Sequence, residues 1–404
     1  MGKCVKQERC YYVDWLRVLG MICVFFFHNT RFFDLMDWEL KNKETFLEPT
    51  IFVMFVNFWI MPLFFMLAGI GTNFALKTKT KNQYIRDRYW RLAIPYIFGI
   101  LILIPPQRYV ECLGNGKFSG TFLDFLPWYP EHKLLIGNFG FSPVWFGEPG
   151  THLWFLAFLF IFSVIALPII RYLRSESGEK LMKLLGAACE KIGGIYLFVV
   201  PLACAKILLQ PIYPKYLSWA DFTFWFFIFI FGYILFYDKK FVGSAERHKY
   251  ISLGIGMLFL VVLLVLFTFF LDYLKSWWDH PDYSLGCILF HIMWAITTWS
   301  WLMFFLGAGK VFLDFRTRWL SRINEAVMPF YMLHQTVILL IGFQIIQWHI
   351  NAWFKYIAIS SSSFIVIIAI YYFIIMRFNL LRILFGMKPL GSSVTSQNHV
   401  KGIK

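Results

Sequence analysis

Ten apolar stretches alternate with short polar segments along the 404-residue chain. A helix that crosses a bilayer needs roughly 20 predominantly apolar residues. Stretches of that kind lie at about 12–33, 50–76, 91–106, 152–170, 194–210, 219–237, 250–271, 284–306, 326–347 and 354–376. The third is short and ends in Pro105–Pro106, and the fifth is interrupted by Pro201 and Lys206. The longest stretch without this pattern is 107–151, which includes "FLPWYPEHKLLIGNFGFSPVWFGEPGTHLWFL". The pattern predicts an all-α polytopic membrane protein of about ten transmembrane helices. It predicts one membrane domain over 1–376, with 107–151 as a long loop, and a tail over 377–404 that ends in the loose segment "GSSVTSQNHVKGIK".

Composition agrees: 59% of residues are apolar and only 15% charged, where soluble domains carry about 25% charge. The net charge of +15 does not indicate nucleic acid, because the cations lie in short clusters between apolar stretches. Segments 1–17, 77–91, 171–193, 238–250, 307–323 and 377–404 hold 28 of the 38 Lys and Arg residues. Cationic loops stay on the cytoplasmic side, so both termini are expected inside, 107–151 outside, and the protein in the cell (inner or plasma) membrane. The seven Cys are scattered, with no close pair of the metal-ligand kind, so neither a disulfide framework nor a metal site is expected.

The first stretch carries ionisable groups: "DWLRVLGMICVFFFHN", residues 14–29. Eleven residues at 100° each bring Arg17 and His28 to within about 20° of one direction, about 16 Å apart along the axis. Met21 and Val24 continue the same stripe, and Asp14 is placed to pair with Arg17. A charge at mid-membrane costs ~2.5–3.5 kcal/mol even on lenient scales, so such groups normally face protein or a wet cavity. The plainer readings are an Arg17 that snorkels to the headgroups and a His28 that only bonds a neighbouring helix.

The arrangement of Arg17, ten residues and His28 resembles the first-helix signature of the transmembrane acyltransferase family three. "MPLFFMLAG" (61–69), "RDRYWRLAIPY" (86–96) with its Arg88-x-x-Arg91 pair, "HLWFL" (152–156) and "MPFYMLHQTVIL" (328–339) are similar to later motifs of that family, in the same order. The last of these, with "YYVDWLRVLG" (11–20), is most similar to its glucan biosynthesis branch. The resemblance implies transfer of an acyl group of the acetyl or succinyl class. The donor would be cytoplasmic acyl-coenzyme A, and the acceptor a hydroxyl of an extracytoplasmic glucan or other polysaccharide.

That chemistry needs an anion site, a base and an acceptor opening. Arg88 and Arg91 share a helical face at the start of the third span, with Arg86 beside them and Arg17 at similar depth. Guanidinium forks bind phosphate bidentately, so these four are the expected coenzyme contacts. The bland alternative is a positive-inside cluster with no ligand. His28 is the natural general base, since imidazole titrates near neutrality. Arg17 and His334 are the other catalytic candidates, and direct transfer and an acyl-histidine both remain open.

Tyr331 lies one turn from His334. His291 either assists, binds an acyl carboxylate, or only bridges helices. His152, close to Glu148, either positions the acceptor or caps its helix. Trp128, Tyr129, Trp145 and Phe146 either stack on sugar or anchor at the interface. Asn57 and Asn73 are expected to join helices. A transporter or exporter of a polar saccharide would use the same buried charges, but paired broken helices of the transporter kind are not evident.

Overall fold

The computed structural model describes residues 10–130 and 142–390. Part of the 107–151 stretch and the segment expected as a loose tail lie outside the described residues. In chain order, α1 (Tyr11–Thr30) and α2 (Leu47–Ala75) are followed by a bent pair, α3 (Lys81–Ile102) and α4 (Ile104–Gly114). A short α5 (Phe122–Tyr129) precedes α6 (Val144–Leu173) and the amphipathic α7 (Glu176–Glu190). Two shorter apolar helices, α8 (Gly194–Leu209) and α9 (Trp219–Leu235), lead to α10 (Lys239–Phe269) and α11 (Leu271–Asp279). The chain continues as α12 (Leu285–Phe312), α13 (Leu320–Ile345), α14 (Ala352–Arg377) and α15 (Asn379–Leu384).

Seven of these helices (α1, α2, α6, α10, α12, α13 and α14) are long and apolar enough to cross a membrane. The ten apolar stretches of the sequence fall on these seven, the bent pair and the two shorter helices. The third stretch is not a simple span. Its helix begins at Lys81, widens to a π-turn at Tyr89–Ala93 that contains Arg91, and bends by 40° before α4. Pro105 and Pro106 sit in the first turn of α4, where a missing N–H breaks no bond. The 107–151 stretch is therefore not without helix: its first residues complete α4, and α5 packs its own aromatic cluster of Phe125, Tyr129, Tyr109 and Phe118. The fifth stretch opens as a 3-10 turn over Gly194–Phe198 before becoming α-helical.

The segments rich in Lys and Arg meet at one end of the bundle. Trp15 donates to the carbonyl of Phe315, and Arg174 to that of Leu76. Lys240 pairs with Glu190 at 3.0 Å, Lys310 with Glu246 at 2.7 Å, and Arg382 with Glu325 at 2.7 Å. The opposite end is tied differently. Asp34 is fully buried between Arg31 and Lys41, each at 2.5 Å, and Lys355 donates to Asn42 at 3.0 Å.

A close helix crossing joins α2 to α9. A Cβ on Gly69 would lie 2.0 Å from the carbonyl oxygen of Phe229, and one on Gly232 would lie 2.1 Å from that of Met66. Small residues let membrane helices approach until dispersion and polar contacts act. Here Asn73 also donates to the Tyr233 carbonyl at 3.1 Å, as the sequence leads one to expect. Met66, Gly69 and Asn73 make up this face of α2, which leaves its other face to line a cavity.

Gly69→Ala and Gly232→Ala must force the two backbones apart, and overpacking of this kind costs about 1–3 kcal/mol. Each is expected to lower the melting temperature in detergent, whereas Gly254→Ala, whose added Cβ meets nothing within 4 Å, leaves it unchanged. Equal melting of all three proteins would show that the α2–α9 contact is not tight.

Candidate functional site

Two cavities and a histidine cluster occupy the middle of the bundle. The first cavity, about 400 Å³, starts at the basic end among Arg17, Lys79, Asp87, Arg88 and Arg91. On α1 its wall is Arg17, Met21 and Val24, the stripe expected from helical spacing. On α2 it is Met61, Phe64, Ala68, Gly71 and Ala75, a run of fifteen residues that spans about 21 Å. On α13 it is Asn324, Val327, Met328 and Tyr331. The opposite face of α1, with Leu19, Ile22 and Phe26, is exposed and apolar.

The cations at the mouth are held by bonds to neighbouring segments. Arg17 donates to Asp14 and to the side-chain oxygen of Asn324, both at 3.1 Å. Asn324 in turn donates to Asp14 at 3.2 Å, which fixes α13 to α1. Arg88 donates to Thr72 at 3.4 Å and lies over the Tyr84 ring, and Arg91 donates to the Gly386 carbonyl at 3.4 Å. Two arginines three residues apart on α3 and a third from α1 thus converge on one mouth. Arg86 is exposed and does not line the cavity.

The far end of this cavity is Tyr331, whose ring stacks on His334 at 5.7 Å. His334 stands between two further imidazoles, His28 at 4.9 Å and His152 at 5.2 Å. Their hydrogen bonds give the three rings different freedom. His152 donates from Nε2 to the Met332 carbonyl at 3.2 Å, and its Nδ1 accepts from the Thr151 hydroxyl at 3.3 Å. Thr151 in turn accepts from Gln107 at 3.2 Å. His152 is therefore committed on both nitrogens. His334 donates from Nδ1 to the Tyr331 carbonyl, which leaves its Nε2 as an unprotonated acceptor in the neutral ring. That Nε2 and the Nδ1 of His28 are buried and have no hydrogen-bond partner among the described residues. Thr151 has φ 42°, a left-handed value that a β-branched residue adopts only under constraint. The strain sits next to His152, whose carbonyl accepts from the Tyr331 hydroxyl.

Beyond the cluster lies the second cavity, about 320 Å³, on the far side from the basic mouth. Phe27 and Trp38, whose rings lie 5.1 and 6.1 Å from that of His28, belong to its wall, and Met61 lines both cavities. His291 opens into this second space, not onto the histidine cluster. Asn57 also lines it instead of joining helices, and the buried ion pair Lys206–Asp221, at 2.5 Å, forms its floor. Glu148 and Trp145 are exposed and line neither cavity. Among the described residues, no three His, Cys, Asp or Glu side chains are placed to hold a metal ion.

Sequence reasoning missed several polar members of this region. Asn324 gave no signal, because it sits in a polar stretch at a helix start. Glu39 was hidden in the charged segment "DLMDWELKNKE". It accepts from Gln335, the neighbour of His334, at 3.1 Å, and its other carboxylate oxygen is buried with no hydrogen-bond partner among the described residues. Burial raises its pKa against the opposing pull of its own backbone N–H and of Arg108 and Arg31.

A family model described as an acyltransferase domain matches residues 11–372. Proteins named glucans biosynthesis protein C are similar over nearly the whole length. Those of Escherichia coli strain K12, E. coli O157:H7 strain EC4115 and E. coli O9:H4 strain HS are each 24% identical, with 96% of this chain and 96% of the relative covered. No solved structure matches the chain.

Because the folded protein holds the Glu39 proton more tightly than the unfolded chain does, stability declines as pH rises from the ordinary glutamate range toward the raised value. Glu39→Gln keeps the contact with Gln335 and is expected to flatten that decline in thermal unfolding measured across pH. Parallel pH profiles in both proteins would remove Glu39 as its source.

Proposed function

The chain belongs to the acyltransferase family three, and from that premise we propose that it moves an acetyl- or succinyl-class group from cytoplasmic acyl-coenzyme A to a hydroxyl of an extracytoplasmic glucan or other polysaccharide. One observation carries the reading. A cavity that begins among three arginines ends at a tyrosine stacked on an imidazole cluster, with a second cavity on the other side. The relatives' name, glucans biosynthesis protein C, supports a glucan acceptor.

In this reading the basic end is cytoplasmic, in keeping with the side on which cationic loops stay. The chain then crosses the inner or plasma membrane ten times, with both termini inside. Arg17, Arg88 and Arg91 receive the coenzyme phosphates, with Arg86 adding to the field from the surface. Charge-assisted hydrogen bonds of this kind contribute about 1.5–3 kcal/mol each. The pantetheine arm follows the Met21–Val24 stripe and brings the thioester to the histidines.

His28 is the general base. Its imidazole takes the proton of the acceptor hydroxyl as that oxygen attacks the thioester carbonyl, forming the new C–O bond. Collapse of the tetrahedral intermediate breaks the C–S bond, and the imidazolium returns the proton to the departing thiolate. A base so placed typically contributes ~10²–10⁴ in rate. His334, with a free Nε2 beside His28, steadies the developing charge. His152 and Tyr331 hold His334 in place.

His28→Ala is expected to abolish transfer of a labelled acyl group to an oligosaccharide while leaving coenzyme A binding intact. Unchanged transfer would remove His28 from the mechanism. Arg88→Ala and Arg91→Ala are each expected to weaken coenzyme A binding by about tenfold, the equivalent of 1.4 kcal/mol, without loss of folded protein. Wild-type affinity in both would dissolve the phosphate site.

A further inference from the structure

The second cavity has a composition that the mouth of the first does not share. Its aromatic wall includes Trp38, Trp225, Trp277, Trp278 and Trp294, drawn from four separate parts of the chain. Trp278 is 49% exposed although it lines a concavity. Tryptophans that line a cavity differ from lipid anchors, which face outward at the interface. Their negative π-faces suit the weakly positive C–H edges of a sugar ring.

The polar groups decide what kind of sugar. Lys206 is neutralised by Asp221 at 2.5 Å and also donates to Gln210 at 2.9 Å. The second carboxylate oxygen of Asp221 accepts from the Leu217 N–H at 2.9 Å. Arg31 is held by Asp34 at 2.5 Å and by the Asp37 carbonyl. Both cations on this wall already touch a carboxylate, Lys206 that of Asp221 and Arg31 that of Asp34, which it shares with Lys41, whereas Arg88 and Arg91 at the mouth of the first cavity bond only neutral groups. An anionic ligand at the floor of this cavity would have to break the buried Lys206–Asp221 pair and leave a partner uncompensated. A hydroxyl-bearing neutral ligand only adds bonds to dipoles already in place. One buried polar atom awaits such a bond: Nε2 of His291, a residue only 5% exposed, has no partner among the described residues.

We infer that this cavity is the acceptor subsite and takes an uncharged hexose unit, stacked on tryptophan and hydrogen-bonded to His291 and Asn57. The inference rests on the reading of the chain as a glycan acyltransferase and adds to it the site, the residues and the charge class of the acceptor. Trp38 bounds this cavity and neighbours His28, so a hexose seated here presents a hydroxyl toward the imidazoles.

The test uses the full-length protein in detergent or nanodiscs with two probes, a neutral glucose oligomer and a uronic-acid oligomer. Acyl transfer, acyl-coenzyme A hydrolysis without acceptor, and coenzyme A binding are measured for the wild type, Trp278→Ala, His291→Gln and Asn57→Ala. Trp278 and Asn57 are exposed and His291→Gln keeps a hydrogen-bonding group, so folding is preserved, and melting temperature checks this.

The expected result is a rise in the KM for the glucose oligomer of about tenfold or more in Trp278→Ala and His291→Gln, roughly 1.4 kcal/mol. Coenzyme A binding and acceptor-free hydrolysis should not change. An unaltered KM in both variants overturns the subsite while the acyltransferase reading stands. Preference for the uronic-acid oligomer overturns the neutral class. Hydrolysis of the thioester without transfer to the glucose oligomer overturns the hexose. Absence of any turnover or coenzyme A binding in the wild type sinks the functional reading itself, and the subsite with it.

Discussion

An ionisable side chain inside hydrocarbon is tolerated only where protein or water meets it, and the arrangement of this bundle follows from that constraint. Arg17 is turned away from the lipid face of α1 and clamped by Asp14 and Asn324. That clamp brings α13 against α1 at the basic end. Further along the same two helices, the pairing carries His28 beside His334. The two faces of α2 then divide the labour. One face, through Gly69, is pressed against α9, and the other is left to line the space that Arg17 opens onto. A single desolvation constraint thus sets the register of α1, the position of α13 and the location of a cavity.

Some of this was legible in the sequence because helical spacing is a local property. The Arg17–Met21–Val24 stripe depends only on 3.6-residue periodicity, and it lines a cavity as that periodicity requires. Arg88 and Arg91 share a mouth despite the π-turn that begins between them. The proximity of His152 to His334 was not local; the order of motifs suggested the residues, and only the fold supplied the 5.2 Å between their rings. The aromatic wall of the second cavity was illegible, because tryptophans 38, 225, 277, 278 and 294 come together only after the helices pack. The aromatics that drew attention in the sequence behave otherwise. Trp128 and Tyr129 pack against their own neighbours, while Trp145 and Phe146 remain exposed. Lys206 read as a flaw in a span, and its meaning depended on Asp221, fifteen residues away on another helix.

The polar middle of the bundle also separates positioning from reactivity. His152 has both ring nitrogens engaged, while His334 and His28 each keep one without a partner among the described residues. A ring with both nitrogens committed orients its neighbours and has no lone pair left to exchange protons. The strained backbone at Thr151 is in keeping with this, since it holds a ring in place at the point where α6 begins its regular course.

Met61 borders both cavities, so a single unbranched thioether is part of what separates them. Its three rotatable bonds make it an adaptable plug. In the proposed function the reactants meet from opposite sides of a bilayer, and a partition as thin as one side chain invites leakage. Shortening that side chain removes insulation as well as volume, and its signature would be electrical: a proton or ion conductance across membranes that hold the protein.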